Sequence, residues 1–448
     1  MLSILARQSK PGSYAYSGER LVNCFLRPSD GATSGVLLCR GGLTKHVDLG
    51  TGGPVRALAK LGGSIYAVSV GTVWKVTGAA VVSVGSVSDG ETYIAVNRSQ
   101  IAIVVGGKYY VCDGSATSEV STGAVDTPVG VVEADGYMIV FGTGAGLGDL
   151  VQVSALDDAS TFEADQFAAA EYKADSLVGA IVDHGQLHLF GEETVETFYN
   201  SGDVDFPFAP NRAAVIEHGC INGKTIEKAD SAVYWVAPDG KVLRNFGGSP
   251  EVISTPEIKD ALAKSTVTGG FTFSERGHEF YAVTRADGTT FVFDMVTRLW
   301  HERVKGLLYG PWAAICRVNL DGTQYFGCDN GVIATMSETV YQDFGNYLQL
   351  EFETPLQVNG GELFRVSRIH IDVDSGTGGL GRTPKCMLQV STDGVNWGRE
   401  RWRDLADLGQ YGKRAAWHGL GQFRRGKIRF RVTDPVKRDV IGGAVRYG

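Results

Sequence analysis

The sequence lacks the features that mark several classes of protein. No stretch approaches the ~18–20 uninterrupted apolar residues of a membrane-spanning helix. The first residues, MLSILARQSKPGSYAY, contain too short an apolar run for a secretory signal. Prolines number only 13, which excludes a proline-rich linker protein. We therefore expect a folded globular protein with no membrane span.

Cysteines are few, and their spacing excludes two kinds of cross-link. The seven are odd in number and irregularly spaced, and none forms a C-x-x-C pair. This pattern argues against a disulfide framework and against a zinc site. We expect free, buried thiols in a protein made in a reducing cytosol.

Sequence motifs for catalysis and cofactor binding are also missing. Neither G-x-S-x-G nor H-E-x-x-H occurs. The segment HGCINGKT (218–225) resembles a phosphate-binding loop, but Gly219 stands one residue too close to Gly223, and a strand-like run follows instead of a helix. GTGAGLGD (142–149) lacks the G-x-G-x-x-G spacing. No pattern predicts a catalytic residue, a cofactor or a metal site.

Glycine is the residue type present in excess. The 60 glycines are about 13% of the chain, against a usual ~7%. They are spread between short runs of Val, Ile, Tyr and Phe, which indicates many tight turns between many short strands. One segment, PEIKDALAK (256–264), has a helical pattern. The composition therefore predicts an all-β protein with one short helix.

A loose repeat occupies the middle of the chain. Similar apolar phrases begin near seven positions: Val55, Tyr93, Val129, Leu177, Thr225, Phe271 and Trp312. Successive starts lie 36 to 48 residues apart, and such a step with about four short strands is the period of a β-propeller blade. Asp-Gly and Asn-Gly pairs supply hairpin turns within the phrases. We predict a β-propeller of six or seven blades and favour seven.

The pattern changes after the propeller phrases end. Longer strands without the blade period follow, and roughly seven strands in ~100 residues suit a β-sandwich. We assign residues 1–50 to an N-terminal arm that leads into the first blade and could supply a closing strand to the last. Residues 51–345 form the predicted propeller, and residues 346–448 form the predicted C-terminal β-sandwich.

Charge is distributed unevenly between these parts. Residues 349–448 hold 17 Lys+Arg and 11 Asp+Glu, a balance of +6, whereas residues 1–348 hold 25 and 39, a balance of −14. Near the C-terminus, cationic residues alternate with Ile428, Phe430 and Val432, so that one face of a strand is apolar and the other cationic. The cationic side chains are candidates for docking a neighbouring subunit: Arg424, Arg425, Lys427, Arg429 and Arg431. A solvated face of the sandwich is the alternative interpretation.

The segment STDGVNW (391–397) approximates the Asp-box of sugar-active propellers. Its Asp-Gly pair is one residue tighter than in that motif, and the single copy lies outside the predicted propeller. Such a box is a turn in which Asp and Ser bond local backbone and Trp packs beneath. A carbohydrate-binding or glycosidase-like propeller, acting in receptor binding, nevertheless remains an alternative function.

Taken in order, three regions resemble the tail accessory proteins of short-tailed bacteriophages, also called packaged-DNA stabilisation, hub or nozzle proteins. The first runs from ERLVNCFLRP to GGLTKHVDLGTGGPVRALAKLGGSIYAVSVGTVWKV. The second runs from ETVETFYNSGDVDFPFAP to IEHGCINGKTIEKADSAVYWVAPDGKV. The third joins LQVSTDGVNWGRERWRDL to KRAAWHGLGQFRRGKIRFRVTDPVKRDVIGGA. Together they span nearly the whole chain.

The resemblance implies a non-enzymatic virion protein, made in the host cytoplasm and placed in the phage tail. Members of this family assemble as rings, typically hexamers, below the portal and its adaptor ring. They extend the channel for double-stranded DNA without sequence-specific binding, help to retain the packaged genome, and hold tail fibres, spikes or a plug. The resemblance transfers no catalytic residue to this chain.

Overall fold

A computed structural model describes residues 6–10, 18–28, 35–144, 148–169, 175–358, 361–377 and 380–447. Within these residues the chain is almost entirely β-strand, as the composition predicts. The described part has a single α-helix, Pro256–Ala263, which confirms the helix predicted there. Thr255 caps this helix by accepting a hydrogen bond from the Ile258 backbone N–H through its side chain. A short 3-10 helix spans Gly223–Thr225.

The prediction of a β-propeller is confirmed, and the described residues form seven blades of four antiparallel strands. The first strand of each blade contacts the first strand of the next around the ring, except that blade 4 contacts the 3-10 helix Gly223–Thr225 before blade 5, and the last blade contacts the first. The strands of blades 1 to 3 are, in chain order, Val55–Leu61, Ser64–Ser69, Thr72–Thr77, Ala80–Ser86; Thr92–Val96, Ile101–Val105, Lys108–Cys112, Thr117–Glu119; Thr127–Ala134, Tyr137–Gly144, Gly148–Val153 and Phe167–Ala169.

Blades 4 to 6 follow the same order, and blade 7 combines the two ends of the propeller sequence. The strands of blades 4 to 6 are Leu177–Asp183, Gln186–Gly191, Val195–Asn200, Phe208–Pro210; Glu227–Ala229, Ala232–Val236, Val242–Asn245, Glu251–Val252; Val267–Glu275, His278–Arg285, Thr290–Asp294 and Leu299–Lys305. Blade 7 consists of Ala314–Leu320, Thr323–Cys328, Val332–Ser337 and the N-terminal strand Gly42–Asp48. The strand Gly42–Asp48 pairs with Val332–Ser337, which completes the last blade and closes the ring.

Hairpin turns follow the chemistry that the Asp-Gly and Asn-Gly pairs predict. Four such pairs are Asp239-Gly240, Asp287-Gly288, Asp321-Gly322 and Asn330-Gly331. Their glycines all have φ between 80° and 83°. This left-handed conformation is accessible to glycine at little cost, so each pair can reverse the chain between two strands.

The β-sandwich packs two sheets face to face. One sheet has five strands in the order Cys24–Pro28, Gly35–Cys39, Asp439–Tyr447, Phe364–Asp374 and Arg414–Phe423. The facing sheet runs Arg20–Val22, Leu350–Glu353, Arg425–Val432, Lys385–Ser391 and Arg401–Asp404. Three further short strand pairings lie outside these two strand orders. They are Gly310–Pro311 with blade 6, Gln357–Val358 with Arg425–Val432, and Gln342–Asp343 with Asn346–Tyr347.

One short N-terminal strand joins the sandwich to the propeller. Arg20–Val22 pairs in parallel with Leu299–Lys305 of blade 6 and antiparallel with Leu350–Glu353 of the sandwich. Blade 6 and one sandwich sheet therefore belong to a single 11-stranded sheet. Phe25 and Leu38, on the next two strands, pack among propeller residues such as Phe280 and Phe326.

The N-terminal segment thus contributes to both parts of the molecule. Strands between residues 20 and 39 pair within the sandwich, Arg20–Val22 also pairs with blade 6, and residues 42–48 form a strand of blade 7. The division into 1–50, 51–345 and 346–448 stays a prediction about the domains. All seven cysteines are free, and six of them are buried, as their spacing predicts.

Candidate subunit-docking site

The strand Arg425–Val432, called here the basic strand, lies in the middle of a sandwich sheet. It pairs with Leu350–Glu353 on one side and with Lys385–Ser391 on the other. Phe430 stands opposite Phe352 and belongs with it to the sandwich core. The alternation of apolar and cationic faces that the sequence predicts is therefore present.

Opposite the cations of the basic strand stand two glutamates. Lys427 Nζ lies 2.6 Å from Glu353 Oε2, and Arg429 Nη2 lies 2.6 Å from Glu353 Oε1. Arg431 Nη2 lies 2.6 Å from Glu351 Oε2. The relative exposure of Glu351 is 0%, that of Glu353 1% and that of Lys427 0%. Three of the five predicted docking residues therefore already have ion-pair partners inside their own chain.

Two aromatic rings cover this charged face. Tyr309, from the end of blade 6, donates a hydrogen bond to Glu351 and accepts one from Arg431 Nη2 at 2.7 Å. The Trp397 ring centroid lies 4.1 Å from the Arg429 guanidinium carbon, which is a cation–π geometry. The rings limit the access of water to the cluster and so strengthen its electrostatic interactions.

The ion pairs continue from the sandwich into the propeller. Arg20 Nη2 lies 2.6 Å from Glu302 Oε2 of blade 6, and Arg20 Nη1 lies 3.9 Å from Glu351 Oε1. The Arg20 guanidinium also packs over the Tyr309 ring at 4.7 Å. We call the set Arg20, Glu302, Glu351, Glu353, Lys427, Arg429 and Arg431 the junction cluster.

A second set of buried ion pairs lies beside the junction cluster. Arg40 Nη2 lies 2.5 Å from Asp343 Oδ2, and both side chains are buried. Arg303 Nη2 lies 2.7 Å from Glu275 Oε2. The other carboxylate oxygen of Glu275 accepts a hydrogen bond from the Gly41 backbone N–H. Arg40 donates further hydrogen bonds to Asn23 and to the Val304 carbonyl. N-terminal strands, blade 6 and blade 7 are thereby tied together.

Protonation of Glu353 depends on two opposing effects. Burial alone would raise the pKa of this carboxyl, but the charges and hydrogen bonds of Arg429 and Lys427 outweigh burial and lower the pKa from its usual 4.5. Burial and the neighbouring Glu351 raise the pKa of Tyr309 to about 12, so this phenol stays protonated at neutral pH. Glu353 is therefore ionised at neutral pH.

Acid is expected to destabilise the fold through Glu353. Because its pKa is lower in the folded than in the unfolded chain, its stabilising contribution is fully present above the usual value of 4.5 and is lost as the pH falls through the folded-state pKa. The urea midpoint, measured from neutral pH downwards, should decrease in that window. A Glu353→Gln variant should begin less stable and show a shallower decrease. Equal slopes for the two proteins would contradict this assignment.

Arg424 and Arg425 differ from the other three candidates. Both are exposed, and Arg424 Nη1 donates to the Gly361 carbonyl at 2.9 Å. Their charges point outward, where a neighbour could meet them. The docking role of the five residues stays a prediction, and within the described chain it now rests on these two.

The Asp-box-like turn has a structural role. Asp393 Oδ1 accepts hydrogen bonds from the backbone N–H groups of Val395 and Asn396, and Ser391 Oγ accepts from the Gly394 N–H. Trp397, which ends the turn, lies over Arg429 in the junction cluster. The turn therefore positions an aromatic lid, and this use gives no support to sugar binding.

Lys224, in the segment that resembles a phosphate-binding loop, crosses the centre of the propeller. From blade 5, its Nζ donates to the Thr92 carbonyl of blade 2 at 2.5 Å and lies 5.0 Å from the Tyr93 ring centroid. Blades 2 and 5 stand three positions apart in a ring of seven, so the side chain spans the axial opening. Nearby, burial raises the pKa of Glu227 to about 7.

The described residues contain neither a candidate metal site nor a candidate membrane-spanning helix. Within them, no group of three or more His, Cys, Asp and Glu side chains could hold a metal ion. None of their helices is long and apolar enough to cross a membrane.

The chain has distant likenesses among solved structures. A computationally designed Ika8 protein has a TM-score of 0.42 and 15% identity, covering 74% of this chain and 99% of its own. YCF48 from Cyanidioschyzon merolae has a TM-score of 0.44 and 11% identity, covering 66% of this chain and 98% of its own. Among curated proteins no match is found.

Sequence families give a much stronger match, in two consecutive segments. Residues 8–341 match the family described as Bacteriophage P22 Gp10, beta-propeller. Residues 349–448 match the family described as Bacteriophage P22 Gp10, beta-sandwich. The two segments coincide with the order of the propeller and the sandwich in the structure and leave few residues unmatched. The chain therefore belongs to the bacteriophage P22 Gp10 family of structural tail proteins, the hub and DNA-stabilisation proteins that its sequence resembles.

Proposed function

We propose that copies of this chain form a ring in the phage tail, below the portal and its adaptor ring, which extends the DNA channel. The match of both the propeller and the sandwich to the P22 Gp10 family carries this proposal. Hexamers are typical of the family, and we propose that order here. The ring would help to retain packaged DNA and anchor tail fibres, spikes or a plug.

The position of Lys224 supports a channel between copies rather than through one chain. Its contact with Thr92 spans the axis of the propeller, so a DNA duplex could not pass along that axis. A ring leaves a separate opening at its centre, bounded by several chains. The propeller would then serve as a rigid wall element, since its closed blades have few free edges.

Net charge supports passage of DNA without sequence-specific binding. Each chain carries −8, so a ring of six would carry six times −8, or −48. A ring with this net charge repels phosphate groups at long range and so opposes tight binding of the duplex. Seven free cysteines agree with synthesis in the reducing cytoplasm of the host.

Loss of the gene tests this function directly. Phage particles made without the chain should fill with DNA but release it and lack a complete tail. Adding the purified chain to these particles should restore DNA retention and infectivity. Particles that keep their DNA and infect normally without the chain would contradict the proposal.

A further inference from the structure

The acidic charge of the propeller is concentrated in two adjacent blades. Residues 126–211, which contain blades 3 and 4, hold 16 Asp+Glu and one lysine, a balance of −15. Residues 1–348 as a whole have a balance of −14, so the rest of that segment holds 24 Lys+Arg and 23 Asp+Glu, close to neutral. The propeller therefore has one strongly acidic side.

Exposed carboxylates at the loops of blades 3 and 4 form what we call the acidic patch: Asp135, Asp157, Glu163, Asp165, Asp203 and Asp205. Contacts join its parts, since Asn200 Nδ2 donates to Asp135 at 2.8 Å and Gln166 Nε2 donates to the Val204 carbonyl at 3.3 Å. Among the described residues, the only ion pair made by these six carboxylates is that of Asp157 with Arg98, at 3.8 Å. The patch thus has negative charge that the described chain leaves largely uncompensated.

The sandwich carries the opposite charge on the outer side of its five-stranded sheet. Arg368 stands directly opposite Arg446 on one neighbouring strand and His418 on the other, and Arg365 lies nearby on the same strand as Arg368. We call these four residues the basic face. In the described chain none of its arginines forms an ion pair, and the buried Arg368 Nε has no hydrogen-bond partner there. At the far end of the same face, Asp372 is paired with Arg414 at 3.0 Å.

Like charges directly opposite one another on a sheet reduce stability. Because the described sheet places Arg368 beside Arg446 without an acidic partner, an anionic surface of another molecule would relieve their repulsion. Apolar side chains border both charged regions. Leu156 is 58% and Val204 85% exposed in the acidic patch, and Leu363 is 56% and Tyr447 42% exposed beside the basic face. Apolar groups among charges fit a protein surface better than a phosphate backbone.

The two surfaces of one chain cannot meet. The sandwich is attached at blades 6 and 7, through Arg20–Val22 and through Phe25 and Leu38. Blade 3 stands three positions around the ring of seven from both of these blades. A contact between the basic face and the acidic patch must therefore join two different copies. Such a head-to-tail contact generates a ring when its rotation closes.

Resting on the proposed tail ring, we propose that the basic face of each copy docks on the acidic patch of the next. The partner is a second copy of this chain. Blades 3 and 4 and the outer face of the sandwich then lie between subunits, and the lumen is lined by other surfaces. Arg424 and Arg425 follow the strand Arg414–Phe423 of the same sheet and could extend the contact.

A charge exchange in the full-length chain tests this contact. One variant carries Arg368→Glu with Arg446→Glu, and the other carries Asp203→Lys with Asp205→Lys. Each alone should weaken self-association at least ~10-fold in dissociation constant, measured by sedimentation, because like charges would face each other. An equimolar mixture of the two variants should associate again, and so should one chain that carries all four changes.

Arg399→Glu with Arg403→Glu is the matched control, since these exposed arginines lie on and just before the edge strand Arg401–Asp404 of the facing sheet, outside the basic face. The control should associate as the wild type does.

The wild-type contact should also weaken between ~0.1 M and ~1 M salt, where the screening length falls from about 10 Å to about 3 Å.

Failure of this contact can be distinguished from failure of the tail function. If the wild type forms rings and none of the four changes affects them, the proposed contact is wrong and the proposed ring stands. Loss of binding to a DNA duplex by Arg368→Glu with Arg446→Glu, with self-association unchanged, would reassign the basic face to DNA. A wild type that never self-associates would overturn both proposals.

Discussion

Replacing both Arg429 and Arg431 by glutamate is expected to unfold the sandwich rather than to detach a neighbouring subunit. The change would place two more carboxylates beside Glu351 and Glu353, whose side chains are at most 2% exposed. Removing one partner of a buried ion pair costs about 3–5 kcal/mol. Two such losses plus direct repulsion approach the ~5–15 kcal/mol that keeps a whole domain folded. Urea denaturation followed by tryptophan fluorescence would measure the effect.

Arg424 and Arg425 provide the matched control for this prediction. Replacing these two exposed arginines by glutamate should shift the free energy of unfolding by no more than ~0.5 kcal/mol. If instead the Arg429 and Arg431 variant keeps the wild-type urea midpoint and merely fails to assemble, then the cationic side of the basic strand would be a docking surface after all.

An isolated fragment of residues 349–448 is expected to be unfolded, although it matches a complete sandwich family. The sandwich in the full chain uses three further strands, Arg20–Val22, Cys24–Pro28 and Gly35–Cys39. Without them the core loses buried residues such as Leu21 and Leu37, and the edge of each sheet next to them is exposed. A domain of this size has little stability to spare. Circular dichroism and amide-proton dispersion would report the missing fold.

Restoring the missing strands gives the control. Residues 18–40 joined to residues 349–448 through a flexible Gly-Ser linker should recover part of the sandwich, since the linker replaces only the path through the propeller. The hairpin Cys24–Pro28 with Gly35–Cys39 can then pair again with Asp439–Tyr447. A fragment of 349–448 that folds cooperatively without these residues would show that the N-terminal strands are dispensable.

Much of the fold could be predicted because its signals are local. The glycines of turn pairs such as Asp239-Gly240 and Asn330-Gly331 adopt the left-handed conformation that such turns require. The helix beginning at Pro256 has its capping threonine one residue earlier. Alternation along Arg425–Val432 correctly separates an apolar from a cationic face, because side chains on a strand alternate with period 2.

The junction cluster could not be predicted, because its partners are distant in sequence. Arg431 and Glu351 are 80 residues apart, and Arg20 and Glu302 are 282 residues apart. Which strands become neighbours depends on the packing of the whole chain, and an alternating pattern does not show whether its polar face meets water or another strand. A sequence signal did exist, since the LEFE segment alternates Glu351 and Glu353 with Leu350 and Phe352 in a complementary pattern.

The pairing of N-terminal strands with the sandwich could not be predicted for the same reason. Strands of three to five residues, such as Arg20–Val22 and Cys24–Pro28, contain too little periodicity to indicate their sheet. The sandwich partner of Arg20–Val22 lies more than 300 residues further along the chain. The consequence is structural: blade 6, the strand Arg20–Val22 and one sheet of the sandwich form one continuous sheet, so a ring built from these chains would transmit force through rigid subunits.

Electron cryomicroscopy of the native phage particle tests the central claim most directly. We expect a ring of chains in the tail below the portal, each fitted by the seven-bladed propeller and its attached sandwich. The basic face of one chain should lie against blades 3 and 4 of the next, around a central opening for DNA. Finding the chain in the capsid shell, in a trimeric spike, or nowhere in the particle would contradict the account.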